Sequence, residues 1–143
     1  MGVTAVSAYP DACVLIYLLD KQSQLAEVIA QRVRPAQDLP PSLVFTELTR
    51  LECRIRPVKT GNHAQLLVYD QLFAAHGNRF QAMDRQVFEL ATQLRAEHGL
   101  KTADALHLAA AIRAGCVEFW TNDRRLAKAA QGRLQIVTFE STL

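Results

Sequence analysis

The chain reads as an α/β protein: a three-layer α/β/α fold with a central, mostly parallel sheet of four or five strands. Three observations predict this. Short apolar stretches alternate with helical segments along all 143 residues. Gly77, Gly99 and Gly115 close helices, while Asp, Thr and Ser open them. Finally, four acidic residues, Asp11, Glu47, Asp104 and Asp123, each sit where an apolar stretch passes into the start of a helix. In an open parallel sheet, those junctions gather at the carboxyl edge of the strands, where ligands bind.

The elements follow in order. A weak strand, Thr4 to Tyr9, leads through Pro10-Asp11 into an apolar helix, Cys13 to Leu19. A helix over Ser23 to Val33 places Leu25, Val28, Ile29 and Val33 on one face. Leu39 to Ser42 is a short strand whose pairing Pro40-Pro41 confines. The next helix carries Val44, Leu48, Leu51 and Ile55 as its apolar stripe and ends before Pro57. His63 to His76 forms another helix, and Arg79 to Met83 a strand. Asp84 caps a helix whose Val87, Leu90, Ala91 and Leu94 share a face. Thr102 caps the next, which runs to Ala114. A strand over Val117 to Thr121, a helix over Asp123 to Ala130 and a strand over Leu134 to Phe139 complete the chain.

Composition narrows the function classes. A chain of this length is one domain, spanning 1–143, and can bury a real core. Half of it is hydrophobic and 21% is charged, which argues against disorder. The net charge of +2 makes it no polycation, so nucleic-acid contact would rest on a local basic patch. The apolar run from Ala12 to Leu19 is too short to span a bilayer, and the first residues lack the basic start of a secretory signal. Cys13, Cys53 and Cys116 lie far apart among apolar neighbours, with no C-x-x-C pair. They read as reduced, buried small hydrophobes of a cytoplasmic protein.

Each acid also has a modest structural explanation. Asp11 and Asp123 could simply cap helices. Glu47 could complement a helix N-terminus or pair with Arg50. Glu52, on the opposite shoulder of the same helix, is its rival for a place in the site; Glu47 is preferred because it lies nearer the strand end. Asp104 is the most telling, because the segment Thr102 to Ile112 is apolar nearly all round. A carboxylate at the head of a buried helix is costly unless paired or metal-bound. One turn on, His107 reads as a core histidine bonded to a backbone carbonyl, with a supporting bond to Asp104 as the second reading. Trp120 and Tyr17 read as core, and Asp84 and Asp70 as a cap and a surface charge. Carboxylates that converge repel one another unless a cation joins them. Hard oxygen donors suit Mg²⁺ or Mn²⁺, and with them phosphodiester chemistry.

Four blocks carry a family resemblance: Tyr-Pro-Asp-Ala-Cys-Val-Leu-Ile-Tyr-Leu-Leu at 9–19, Phe-Thr-Glu-Leu-Thr-Arg-Leu-Glu-Cys-Arg at 45–54, Lys-Thr-Ala-Asp-Ala-Leu-His-Leu-Ala-Ala-Ala at 101–111 and Thr-Asn-Asp-Arg-Arg-Leu at 121–126. With them the chain resembles PIN-domain ribonucleases over essentially its full length, most closely the VapC-like toxins of prokaryotic toxin–antitoxin pairs. The resemblance implies a single PIN-like nuclease domain and a Mg²⁺- or Mn²⁺-dependent endoribonuclease. Asp11, Glu47, Asp104 and Asp123 would be its catalytic and metal-holding acids. Because Mg²⁺ keeps several waters and needs few direct carboxylates, Asp11 and Asp104 are assigned as direct ligands, with Glu47 and Asp123 for a second ion or the waters of the first. It further implies a homodimer and a small VapB-like antitoxin covering the acidic rim, with promoter DNA bound only through that antitoxin. The chain departs from the family pattern at Pro10, Ala12 and Cys13, where many relatives offer the first Asp a hydroxyl or amide neighbour.

Several basic side chains could hold an RNA strand beside that rim: Arg50, Arg54, Arg56 and Lys59, then Lys101, then Arg124, Arg125 and Lys128. A haloacid-dehalogenase-like phosphatase would need an acid where Cys13 stands. A receiver-like phosphoacceptor would need paired acids after the first strand. The stronger rivals are a PIN-like module that binds RNA or protein without cutting, and a structural α/β domain with capping acids.

Overall fold

The computed structural model describes residues 5–19 and 23–140. Five strands, β1 (Ser7–Pro10), β2 (Ser42–Phe45), β3 (Arg79–Phe80), β4 (Glu118–Trp120) and β5 (Gln135–Val137), pair in the order β3-β2-β1-β4-β5. Every pairing is parallel. Between them run α1 (Ala12–Leu19), α2 (Ala26–Val33), α3 (Glu47–Thr60), α4 (His63–Ala74), α5 (Arg85–His98), α6 (Thr102–Arg113) and α7 (Arg124–Ala130).

The two helical layers follow from the two-residue period of the strands, whose side chains alternate between faces. Tyr9, Val44 and Phe119 share a core with Val87, Ala91 and Leu94 of α5, the buried face of α6, and Leu126 of α7. Ala8, Leu43, Phe45 and Trp120 turn the other way, onto Val14 and Leu15 of α1, Ile29 of α2, Cys53 of α3 and Phe73 of α4. Strands buried on both faces read as unbroken apolar runs, as Leu43-Val44-Phe45 and Phe119-Trp120 do. Helix α6 is buried continuously from Ala105 to Ala111, and its run of alanines lets α5 pack closely against it.

The expected order of elements is present, with shifted ends. The strand read at Leu39 to Ser42 starts at Ser42 and continues through Phe45. Prolines 40 and 41 have no N–H to donate, so pairing begins only after them. Val44 is therefore a strand residue. Thr46 then caps α3, its hydroxyl accepting from the Thr49 N–H at 3.3 Å while the Thr49 hydroxyl accepts from the Thr46 N–H at 3.3 Å. That start rotates the whole helix relative to the stripe read from sequence. Leu51 and Ile55 are 57% and 61% exposed, whereas Thr49, Cys53 and Pro57 face inward.

Helix α3 also runs through Pro57 to Thr60. It stops at Gly61 in the left-handed conformation (φ 67°), where the Asn62 N–H donates to the Pro57 carbonyl at 2.9 Å. Tyr17 and Cys13 are exposed rather than buried, while Trp120, Cys53 and Cys116 lie in the core as expected. Thr4, where the first strand was read to begin, lies outside the described residues.

This register has a direct thermodynamic signature. Leu94→Ala opens a fully buried site and should cost about 2–5 kcal/mol. Leu51→Ala, on the stripe that sequence alone would bury, should change stability by no more than about 0.5 kcal/mol. Urea unfolding of both variants checks the pair, and a large loss at Leu51 would contradict the rotation of α3.

Candidate functional site

The chain order of the sheet changes direction between β1 and β4: β1 is followed outward by β2 and β3, and β4 by β5. A crevice opens at such a switch point beyond the strand ends. Here the Asp11 N–H donates to the Trp120 carbonyl at 2.9 Å, which holds the exit of β1 against the end of β4. Asp11 and Thr121 therefore leave neighbouring strands side by side.

Asp11 is only 7% exposed. Its Oδ1 accepts from the Val14 N–H at 2.9 Å, capping α1, and its Oδ2 accepts from the Thr121 hydroxyl at 2.5 Å. Thr121 supplies the hydroxyl support that Ala12 and Cys13 do not. Burial raises the Asp11 carboxyl above its usual range and the charge of Asp104 adds to this, while the Thr121 and Val14 hydrogen bonds and His107 oppose it. The same Thr121 oxygen accepts from the Asp123 N–H at 3.0 Å, joining the first and last acids through one side chain.

Asp123 is exposed and caps α7, its Oδ1 accepting from Arg125 N–H at 2.9 Å and Leu126 N–H at 3.4 Å. Asp104, in the first turn of α6, makes no hydrogen bond or ion pair with a protein group among the described residues. Its carboxyl is raised by burial and then by Asp123, against the lowering effect of His107 and Lys101. A half-buried carboxylate without a protein partner, beside two others, is costly to keep ionised.

The structure does not bring Glu47 to these three acids; Glu52, its rival on the same helix, is the carboxylate on their side of α3. Because α3 is rotated from the expected register, Glu47 points outward with its side chain 75% exposed, 3.9 Å from Arg50. Glu52 turns inward, its side chain 33% exposed and its Oε1 on Nε2 of the buried His107. Cys13, the second residue of α1, makes the same point. Although the residue as a whole is exposed, its thiol is partly desolvated and is pushed up first by that and then by Asp11, Glu52, Asp104 and Asp123, Glu47 not being among the causes. His107 departs from its sequence reading too, since its ring nitrogens meet Tyr9 and Glu52 in place of a backbone carbonyl. Tyr9, Thr46 and Thr49 went unrecognised in the sequence. The signal that could have found them is three hydroxyl residues within strands and caps that are otherwise fully apolar.

The donor set is all oxygen. Among the described residues, no three His, Cys, Asp or Glu side chains stand close enough to enclose an ion by themselves. Carboxylate oxygens are the donors that Mg²⁺ and Mn²⁺ take, whereas a closed zinc cage is built from thiolates and imidazoles. A groove of about 550 Å³ opens beside Glu52, lined by Ile16, Leu19, Arg56, Asn62 and Gln65 among others. Among the described residues, no helix is long and apolar enough to cross a membrane.

The PIN domain family model matches residues 8–132. No curated protein matches the chain. Solved structures do. VapBC2 from Rickettsia felis, bound to a DNA fragment from its promoter, superposes with a TM-score of 0.70 at 11% identity, over 94% of this chain and 100% of that one. A toxin–antitoxin complex from Klebsiella pneumoniae gives 0.67 at 21% identity, over 92% and 96%. VapC20 of Mycobacterium tuberculosis, a sarcin–ricin loop cleaving toxin, gives 0.67 at 13%, over 90% and 98%. At these identities the likeness is one of fold.

The raised carboxyls give the metal-free protein a particular pH response. A group whose folded pKa lies above its unfolded value favours folding below the unfolded value, and that contribution is lost as pH rises through the folded pKa. For Asp104 the unfolded value is about 3.8, so the penalty is complete only above its raised folded value. Asp104→Asn should therefore stabilise the protein in EDTA at neutral pH, with the gain shrinking as pH falls toward 4. Thermal melts of parent and variant across pH check this, and a destabilised variant at neutral pH would contradict it.

Proposed function

Since the chain belongs to the PIN domain family, we propose that it is a metal-dependent endoribonuclease acting as the toxin of a toxin–antitoxin pair. What supports the reading is that Asp11, Asp123 and Glu52 all lie within electrostatic reach of Asp104 or of Cys13 beside it, with Asp104 itself unpartnered among the described residues. The structural likeness to toxins crystallised with their antitoxins supports the toxin role and an antitoxin partner.

In this reading, Asp11 and Asp104 would hold Mg²⁺ or Mn²⁺, with Asp123 and Glu52 as supporting carboxylates. The ion, when bound, supplies a water of lowered pKa and positive charge for the phosphoryl oxygens of an in-line displacement. The chain's own residues do the rest. Thr121 and the Val14 N–H fix both oxygens of Asp11, and the α7 cap fixes Asp123, so the carboxylates need not reorganise as charge develops. A ring of acids repels RNA, so cations must hold the strand. Arg56 in the groove beside Glu52, Lys101 before Asp104 and Arg124 after Asp123 flank the rim, and none forms an ion pair among the described residues. Arg54 is tied instead to Asp70 at 3.2 Å, and Arg50 lies beside Glu47.

The same reading makes the protein a homodimer whose antitoxin covers the acidic rim and carries any promoter DNA. Leu51, Ile55 and Val58 of α3, with Leu67 and Val68 of α4, give it an exposed apolar surface suited to protein contacts. A non-catalytic binding module would have no use for four carboxylates whose mutual repulsion costs stability.

Labelled RNA incubated with the purified protein should be cut in Mg²⁺ and left intact in EDTA. Glu52→Gln should lower the rate about 100-fold, the scale of losing one preorganised electrostatic group. Glu47→Gln should keep it within about threefold of the parent. Cleavage that survives EDTA, or that fails in Glu47→Gln but not in Glu52→Gln, would overturn the assignment.

A further inference from the structure

Tyr9, Thr46, Thr49 and His107 are buried polar side chains that the cleavage chemistry does not use directly. All four are almost inaccessible to solvent, so every donor and acceptor among them must find a partner inside the protein. They do so in one connected network. The Tyr9 oxygen lies 3.1 Å from the Thr46 hydroxyl, 3.1 Å from the Thr49 hydroxyl and 2.6 Å from His107 Nδ1. His107 Nε2 meets Glu52 Oε1.

The proton positions follow from what each group can do. An ionised carboxylate only accepts, so His107 Nε2 carries the proton and donates to Glu52. In the neutral ring Nδ1 must then accept, and the Tyr9 O–H is its donor. The lone pairs of Tyr9 accept in turn from the Thr46 and Thr49 hydroxyls, and those two oxygens accept from the Thr49 and Thr46 N–H groups of the α3 cap. No donor is left over. The tyrosine ring is itself immobilised, stacked on Phe119 at 5.6 Å with the planes 2° apart.

We infer that Tyr9 and His107 are positioning residues that hold Glu52 in the metal site, with the helix cap of α3 fixing the imidazole tautomer from behind. The inference rests on the proposed cation site and deepens it. A glutamate on an exposed helix shoulder samples many rotamers, and closing on a cation would cost that freedom. Here one carboxylate oxygen is held by the imidazole, which removes most of that freedom in advance. Because Tyr9 stands two residues before Asp11 on β1, and His107 three after Asp104 on α6, one network joins the three elements that carry these acids. The relation is that of a carboxylate ligand oriented by a hydrogen-bonding partner outside the coordination sphere.

The test is Mn²⁺ affinity, followed by the electron paramagnetic resonance of the free ion, for the full chain and its variants. His107→Leu should weaken binding about tenfold, the lower end of what losing such a supporting partner costs. His107→Gln, whose amide N–H reaches the place of Nε2, should stay within about threefold of the parent. Adding His107→Leu to Glu52→Gln should weaken binding no further than Glu52→Gln alone, because the histidine acts through that carboxylate. Tyr9→Phe should lower affinity in the same direction by less, and it carries the test should His107→Leu not fold.

A merely structural histidine would lower the melting temperature of both His107 variants and leave Mn²⁺ affinity unchanged. That result, or losses at His107 and Glu52 that multiply, overturns the inference while the cation site stands. A parent protein that binds no Mn²⁺ overturns both.

Discussion

Like charges brought together under partial burial are the constraint that shapes this molecule. Asp11, Asp104 and Cys13 all have their ionised forms disfavoured, first by burial and then by neighbouring carboxylates. A fold selected only for stability would place its caps elsewhere, since hydroxyl or amide caps serve a helix nearly as well without the repulsion. The acids stand together because parallel strands deliver their carboxyl ends to one edge, and because the switch point between β1 and β4 leaves that edge open. The stability forgone there is recovered in two dense cores, one on each face of the sheet.

The site is held rigid by groups that do no chemistry. Thr121 serves Asp11 and Asp123 at once, and the ends of β1 and β4 cannot drift apart without breaking its bond to Asp11 and the Asp11 N–H bond to the Trp120 carbonyl. On the other side, the cap of α3, the phenol of Tyr9 and the imidazole of His107 form a chain from the core to Glu52. Removing one member would leave a buried donor or acceptor unpaired, which costs more than the net worth of the bond. The two supports differ in kind. One fixes strands to each other, the other fixes a helix to a strand and to a second helix.

Much of this was legible in the amino-acid order, and the failures share a cause. The order of elements and the placement of Asp11, Asp104 and Asp123 follow from local signals: an apolar run, a capping acid, a glycine stop. The α3 region went astray because Val44, Leu48, Leu51 and Ile55 fit a helical period, so strand and helix were read as one stripe. The prolines at 40 and 41 then pushed the strand forward by several residues. Once the helix starts at Glu47, Leu48 still touches the core but Leu51 and Ile55 face outward and Glu52 turns in. Periodicity shows that a face exists, and not whether it meets the core or another protein. His107 was misread for a related reason. Its partners, Tyr9 and Glu52, lie 98 and 55 residues away, and no local pattern encodes such contacts.

The central claim is that the four carboxylates await a cation, and thermal unfolding with and without divalent ion tests it most directly. Binding to the folded state alone stabilises by mass action, by about 2.7 kcal/mol when the ion stands at a hundred times its dissociation constant. The account predicts that millimolar Mg²⁺ or Mn²⁺ raises the melting temperature of the parent and leaves Asp104→Asn nearly unmoved. An equal shift in both proteins, or none in the parent, would contradict it.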